Sequence, residues 1–127
     1  MVKLLMILKR NQSLTTEQFR EHYEDVHARI GAKYLKGRAV RYVRRFLDPI
    51  PDRVTGAIPE SDYDVITEIW FPDEECFEAA LERLAQADAA TEIKTDEEFL
   101  FERSRHRFYL LTECESEEVT PGALIEA

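Results

Sequence analysis

Two histidines, His22 and His27, are the residues of this chain best suited to acid–base chemistry. An imidazole titrates near neutral pH, so it can accept and return a proton under physiological conditions. Tyr23 and Glu24 precede His27 by one helical turn, close enough to orient its ring or to tune its pKa. The spacing makes His27 the leading candidate for chemistry. The alternative is that both histidines only border a hydrophobic core.

The helix that must carry these histidines has a clear start signal. Thr15 and Gln18 have the spacing of a capping box, in which each side chain bonds the other residue's backbone N–H. Leu14 and Phe19 flank the cap as a hydrophobic staple. The pattern predicts a helix over residues 15–30.

The predicted helix has one apolar face, which fixes where the histidines point. At about 100° per residue, the buried stripe is predicted to consist of Phe19, Tyr23, Val26 and Ile30. His22 and His27 then lie on opposite sides of this stripe, each about 70° from its centre. Gly31 is expected to mark the end of the helix, and Gly37 the turn beyond it.

Composition excludes several classes of function. The 127 residues fit one domain, and 17 basic against 26 acidic residues give a formal charge of −9, which disfavours nucleic acid and anionic membranes as partners. Cys76 and Cys114 are isolated, without the paired spacing of a zinc site. Residues 1–8 are apolar but too short to span a bilayer and lack a signal-peptide cleavage site. We therefore expect a cytoplasmic protein.

The remaining elements follow from periodicity and turn residues. The predicted strands are residues 2–9, 38–47, 64–71 and 106–114. Asp73 is expected to cap a second helix that begins at Glu74, and residues 88–98 are expected to include only a short helical turn. Residues 48–62, with three of the five prolines, form a long loop that could act as a lid. The order βαββαβ predicts an α+β sandwich with two helices on one face of an antiparallel sheet.

The domain is expected to span residues 1–114, followed by an acidic tail over residues 115–127. Residues 4–8 and, apart from Thr67 and Glu68, residues 66–71 are apolar on both faces of the sheet, while the two helices can cover only one face. Leaving such side chains exposed forfeits about 1.5–3 kcal/mol each. We therefore expect a homodimer in which a second copy covers the other face.

The chain resembles the EthD family of the dimeric α/β-barrel, ferredoxin-like superfamily. The resemblance covers residues 2–114 and rests on residues 3–10, 16–28, 41–44, 63–71, 96–99 and 103–105. The most specific part is the run Tyr-Glu-Asp-Val-His at residues 23–27. The family includes proteins associated with degradation of ethers and aromatics and polyketide-tailoring decarboxylases or dehydratases. The resemblance implies a ferredoxin-like βαββαβ protomer and a dimeric barrel built from two sheets, with His27 as general base or acid and Tyr23 orienting it.

Together these observations predict a lyase or isomerase that needs no cofactor. It would move a proton on a small aromatic or polyketide-like molecule, causing elimination, decarboxylation or isomerisation. The predicted pocket lies between the first helix and the sheet. Its predicted substrate-binding residues are His22, Tyr42, Arg44, Trp70 and His106: Trp70 and Tyr42 would hold a ring, and Arg44 or His106 would stabilise oxyanion charge.

Three alternatives stay open at this point. The first is a non-catalytic dimer that binds a small ligand or assists an oxygenase. The second is haem ligation by His27 or His22, although no second ligand pattern is present. The third is nucleophilic catalysis by Cys76 or Ser104, neither of which has an evident base. The two arginine clusters, residues 38–45 and 103–107, are read as solvated faces, or as the source of one arginine that binds an anionic group.

Overall fold

A four-stranded antiparallel sheet with its helices on one face forms the fold, in a computed structural model that describes residues 1–119 and 121. The strands are β1 (Val2–Leu8), β2 (Arg41–Phe46), β3 (Val65–Phe71) and β4 (Arg107–Leu110). The helices are α1 (Thr16–His22), α2 (Ala28–Leu35), α3 (Glu74–Ala85) and α4 (Ala87–Leu100). The sheet order β2-β3-β1-β4 confirms the predicted ferredoxin-like α+β fold.

The central strand β3 shows which face of the sheet the helices cover. Its residues alternate between buried and partly exposed, and Val65, Thr67, Ile69 and Phe71 are buried. Ile66, Glu68 and Trp70 point to the other face, which no helix of the described chain covers. The residues that build the site belong to the helix-covered face.

The start of the first helix confirms the predicted capping box. The Gln18 N–H donates to Thr15 Oγ1 at 3.1 Å, and the Thr15 N–H donates to Gln18 Oε1 at 2.9 Å. Asp73 also caps α3 as predicted, since its carboxylate accepts from the Cys76 N–H at 2.8 Å. Both caps satisfy amides that the first helical turn leaves without partners.

A π-helical segment (Tyr23–His27) joins α1 to α2 in one continuous helix. The Ala28 N–H donates to the Tyr23 carbonyl, five residues back, so this turn holds one residue more than an α-helical turn. Every later side chain is displaced by one position around the helix. The prediction of an inward Val26 was therefore wrong: Val26 is 39% exposed, and His27 takes the inward position at 9%.

The same displacement corrects the predicted end of the helix. Residue 31 takes the inward place expected for Ile30, and the helix runs on to Leu35. A Cβ atom at Gly31 would lie 2.7 Å from the Tyr42 hydroxyl, so a larger residue there would force the Tyr42 side chain to shift. The turn that follows the helix contains Gly37, as predicted, with φ of +81°, a conformation that glycine adopts readily.

The region after α3 differs from the prediction of a short helical turn. Residues 88–98 belong to the 14-residue helix α4, which packs on α2, α3 and the π-helical segment. Only one narrow stripe of α4 contacts the other helices, so most of its residues are polar. The helix was not predicted for this reason. A 3-10 turn (Arg103–Arg105) then leads into β4, which ends at Leu110 and not at residue 114.

The loop and the tail carry little regular structure. Residues 48–60 are exposed, and Asp52 closes a local turn by accepting from the Val54 and Thr55 amides, each at 2.8 Å. Residues 115–119 contain a turn at 117–118, and residues 120 and 122–127 of the predicted tail lie outside the described residues. Of the described helices, none is both long and apolar enough to cross a bilayer.

Candidate active site

Asp96 on α4 connects the two histidines. His27 Nδ1 lies 2.7 Å from Asp96 Oδ2, and His22 Nε2 lies 2.7 Å from Asp96 Oδ1. The Asp96 side chain is 12% exposed and that of His27 is 11% exposed, so this contact is shielded from water. The predicted helix put the histidines on opposite sides of a stripe, whereas the wide π-helical turn lets both reach one carboxylate.

The surroundings of His27 favour its neutral form. Burial lowers the pKa of His27, while the hydrogen bond and the charge of Asp96 act in the opposite direction and His22 lowers it further. A neutral ring donates its Nδ1–H to the Asp96 carboxylate and keeps its lone pair on Nε2. Nε2 is therefore the atom available for a proton from a ligand.

An inner cavity of about 330 Å³ lies between the sheet and the helices, and His27 lines it. The rest of its wall is mainly aliphatic, with residues from all four strands and from α2, α3 and α4. Besides His27, the polar side chains on the wall are Tyr42 and Glu97. A cavity of about 150 Å³ can hold benzene, so this one is large enough for a molecule of two fused rings.

Tyr23 holds the π-helical segment in place. Its hydroxyl lies 2.7 Å from Thr67 Oγ1, and both side chains are fully buried. The Tyr23 ring meets the His27 ring edge to face at 5.3 Å, so it contacts the imidazole without a hydrogen bond. Burial raises the pKa of Tyr23 and of Tyr42, which keeps both phenols neutral.

His106 lies beside this site. Phe101 separates the two imidazoles, with ring-centroid distances of 5.3 Å to His27 and 4.8 Å to His106. The His106 side chain is 6% exposed, and its Nδ1 lies 3.8 Å from Glu97 Oε2. Burial and the nearby Arg103 charge lower the pKa of His106 to about 4. His106 is therefore a neutral ring at neutral pH.

The structure does not bring Arg44, Trp70 or Glu24 to the inner cavity. Arg44 forms a two-point ion pair with Glu24, at 2.7 and 2.8 Å, so Glu24 is engaged there and does not orient His27. Trp70 points to the helix-free face, where Lys3 and Arg41 lie over its ring at 3.8 and 4.5 Å. Of the predicted pair Trp70 and Tyr42, only Tyr42 lines the inner cavity.

His22 faces a shallow, open groove on the outside of α4, lined also by Asp96 and Phe99. Its ring packs on Phe99 at 4.6 Å. Asp96 thus stands between the outer groove and the inner cavity. None of residues 48–62 lines the inner cavity, so the lid function of that loop stays a prediction.

Sequence reasoning assigned no role to Asp96 or Glu97. The signal was present, because Ala89, Ile93 and Leu100 continue an inward stripe on which residues 96 and 97 also fall. Carboxylates are seldom buried in proteins, and those that are buried often belong to functional sites. The prediction of a short turn for this region concealed the pattern.

A family model for the EthD domain matches residues 11–104 of the chain. The chain belongs to the EthD family. The matched residues include both histidines, Asp96 and Glu97. In the described part of the chain, no group of three or more His, Cys, Asp or Glu side chains is placed to hold a metal ion.

Solved structures share the fold of this EthD-family chain at low sequence identity. An EthD family protein from Bacillus halodurans is 18% identical, with a TM-score of 0.58, over 90% of this chain and 99% of that chain. SnoaB from Streptomyces nogalater, described as a cofactor-independent oxygenase, is 17% identical, with a TM-score of 0.56, over 93% and 97%.

A third structure, described as a dimeric ferredoxin-like protein of unknown function from Thermobifida fusca, is 11% identical. Its TM-score is 0.55, over 88% of this chain and 90% of that chain. No curated protein matches the sequence significantly. These similarities establish the fold.

Proposed function

We propose that this EthD-family protein is an enzyme that moves a proton on a small, largely apolar molecule without a cofactor. The reaction class is elimination, decarboxylation or isomerisation, and the substrate is aromatic or polyketide-like. The observation that carries the proposal is the His27 imidazole, held by Asp96 at 2.7 Å in the wall of the inner cavity.

The geometry suits a general base. Asp96 fixes the ring orientation and the tautomer, so Nε2 keeps the lone pair that accepts a substrate proton. When Nε2 takes that proton, the imidazolium forms beside a carboxylate, which stabilises the new positive charge. The largely aliphatic wall suits an apolar substrate. SnoaB, described as a cofactor-independent oxygenase, supports the idea that this fold can hold a reaction without a cofactor.

Deuterium exchange tests the base directly, without knowledge of the physiological substrate. The probe is 1-tetralone, an uncharged two-ring ketone with acidic hydrogens beside its carbonyl group. In deuterated buffer, the wild-type protein is expected to catalyse exchange of these hydrogens, measured by proton NMR. His27→Gln is expected to lower the rate about a hundredfold or more, because a general base contributes that much.

A surface variant supplies the control for this experiment. Arg83→Gln changes an ion pair with Asp88, away from the inner cavity, and is expected to keep the wild-type exchange rate. Exchange that is equally fast in His27→Gln would overturn the proposed role of His27.

The apolar lining of the cavity also favours a second candidate, a non-catalytic ligand-binding or oxygenase-accessory protein. A largely aliphatic pocket of this size can bind a ring compound with no chemistry at all. The same probe separates the two candidates. Binding of 1-tetralone to wild type and to His27→Gln, with no exchange in either, would support the second.

We also propose that the protein is a homodimer formed through the helix-free face of the sheet. This face carries Leu5, Ile7, Ile66 and Trp70, in register across β1 and β3, and Tyr109 of β4, which is 49% exposed. The T. fusca protein of the same fold is described as dimeric. Light scattering coupled to size exclusion should give twice the chain mass of 14.9 kDa, and Ile66→Lys should shift it towards the monomer.

A further inference from the structure

Glu97 places a carboxyl group on the wall of the inner cavity that His27 also lines. Its side chain is 19% exposed, and it follows Asp96 directly on α4. Asp96 holds the histidine, whereas Glu97 is on the neighbouring position of the helix and faces the cavity. The wall of the inner cavity therefore carries both an imidazole and a carboxyl group.

The groups around Glu97 do not neutralise it with a direct ion pair. Burial raises the pKa of Glu97, Asp96 raises it further, and the Arg103 charge acts in the opposite direction. His106 Nδ1, at 3.8 Å, lies beyond hydrogen-bond distance. Tyr42 on the facing strand is a neutral phenol. These surroundings raise the pKa of Glu97 and so increase the fraction of protonated carboxylic acid, the form that can donate a hydrogen bond.

The inner cavity is also unsuited to an anionic ligand. Among the described residues that line it, none is Lys or Arg. A carboxylate brought into this aliphatic space would lose its hydration without gaining a positive partner. An uncharged carbonyl oxygen needs only a hydrogen-bond donor.

We propose that Glu97, as a carboxylic acid, is a second catalytic residue that binds the oxygen of an uncharged enolisable carbonyl substrate. This inference rests on the proposed function of His27 and narrows its substrate to neutral ketones of about two rings. Carboxylates of the same size are excluded, so the inference keeps elimination and isomerisation and removes decarboxylation from the proposed reaction classes.

The proton transfer balances with these two residues alone. His27 Nε2 takes the proton from the carbon beside the carbonyl group: the C–H bond breaks and an N–H bond forms. The electron pair of that C–H bond becomes the C=C bond of the enol, and the carbonyl oxygen takes the proton of Glu97. Glu97 is left as a carboxylate and His27 as an imidazolium. Return of a proton from His27 to carbon and from the enol to Glu97 restores both residues.

Binding of two probes of the same ring size tests Glu97 separately from His27. Isothermal titration calorimetry compares 1-tetralone with 1-naphthoate on wild type, Glu97→Gln, Glu97→Leu and the control Glu98→Gln, whose residue is exposed on the same helix. Wild type and Glu98→Gln are expected to bind 1-tetralone at least about tenfold more tightly than 1-naphthoate. Glu97→Leu should weaken 1-tetralone binding about tenfold, the worth of one hydrogen bond.

Glu97→Gln distinguishes a donor from a structural role. Its amide keeps a neutral donor that does not titrate, so 1-tetralone binding should stay within about threefold of wild type. Raising the pH should weaken binding to wild type as Glu97 ionises, and should leave binding to Glu97→Gln unchanged. Equal weakening in Glu97→Gln and Glu97→Leu, or the same pH response in wild type and Glu97→Gln, would overturn the proposal.

The two proposals fail in different ways. Loss of the Glu97 effects with His27-dependent deuterium exchange intact would remove this inference and leave the proposed function standing. Glu97-dependent binding with no exchange in wild type would refute the proposed function and confine Glu97 to ligand binding.

Discussion

Acidification is expected to destabilise this protein through His106, and the lowered pKa of that side chain sets the size of the effect. Burial and the Arg103 charge lower the pKa of His106 from 6.5 to about 4. Between these two pH values the unfolded chain holds a proton that the folded chain excludes, so stability falls as the pH falls. Because one pKa unit corresponds to about 1.4 kcal/mol, the loss amounts to roughly 3 kcal/mol.

Urea unfolding of wild type and His106→Leu between pH 7.5 and pH 4 measures this loss. Glu97 changes stability in the opposite direction, because its raised pKa favours the folded state as the pH falls. Both proteins contain Glu97. The quantity to compare is therefore the difference between the unfolding free energies of wild type and His106→Leu at each pH. Wild type should lose about 3 kcal/mol relative to the variant, mostly between pH 6.5 and 4. Parallel pH dependence of the two proteins would refute this account of His106.

Three further perturbations test the elements that hold the site. Thr67→Val removes the hydrogen-bond partner of the Tyr23 hydroxyl in a fully buried contact, so it should lower the free energy of unfolding in urea by about 1–3 kcal/mol. A decrease under about 0.5 kcal/mol would contradict this role of Thr67. Asp96→Asn should move the NMR titration midpoint of His27 to lower pH, because Asp96 raises the pKa of His27, and should slow deuterium exchange of 1-tetralone about tenfold to a hundredfold. An unchanged midpoint would argue against the contact between Asp96 and His27. Thr15→Ala removes the helix cap and should cost about 1 kcal/mol in the same unfolding assay.

Local patterns in the sequence were sufficient for most of the fold. The capping box of Thr15 and Gln18 and the cap at Asp73 depend on residues close in sequence, so they were predicted correctly. The strands were found from short apolar runs and turn residues, and their order implied the antiparallel sheet. The helix-free face also followed from the sequence, because β3 is apolar on both sides.

The site itself was less accessible to sequence reasoning. Regular helical periodicity cannot show a π-helical turn, so the pattern put Val26 inward in place of His27. Asp96 lies 69 residues from His27, and no local rule connects residues at that distance. Arg44 and Trp70 were predicted as substrate-binding residues because arginine and tryptophan side chains often have that role. However, Arg44 is held by Glu24, and Trp70 alternates to the other face of β3.

The π-helical turn also affects how relatives of this protein should be compared. A relative whose helix is regular would carry its inward side chain one position earlier than His27. Matching the two sequences without a gap in this helix would then pair an inward histidine with an outward aliphatic residue. A search for the equivalent base should therefore allow an offset of one residue between Tyr23 and Ala28, guided by the carboxylate that faces it from the fourth helix.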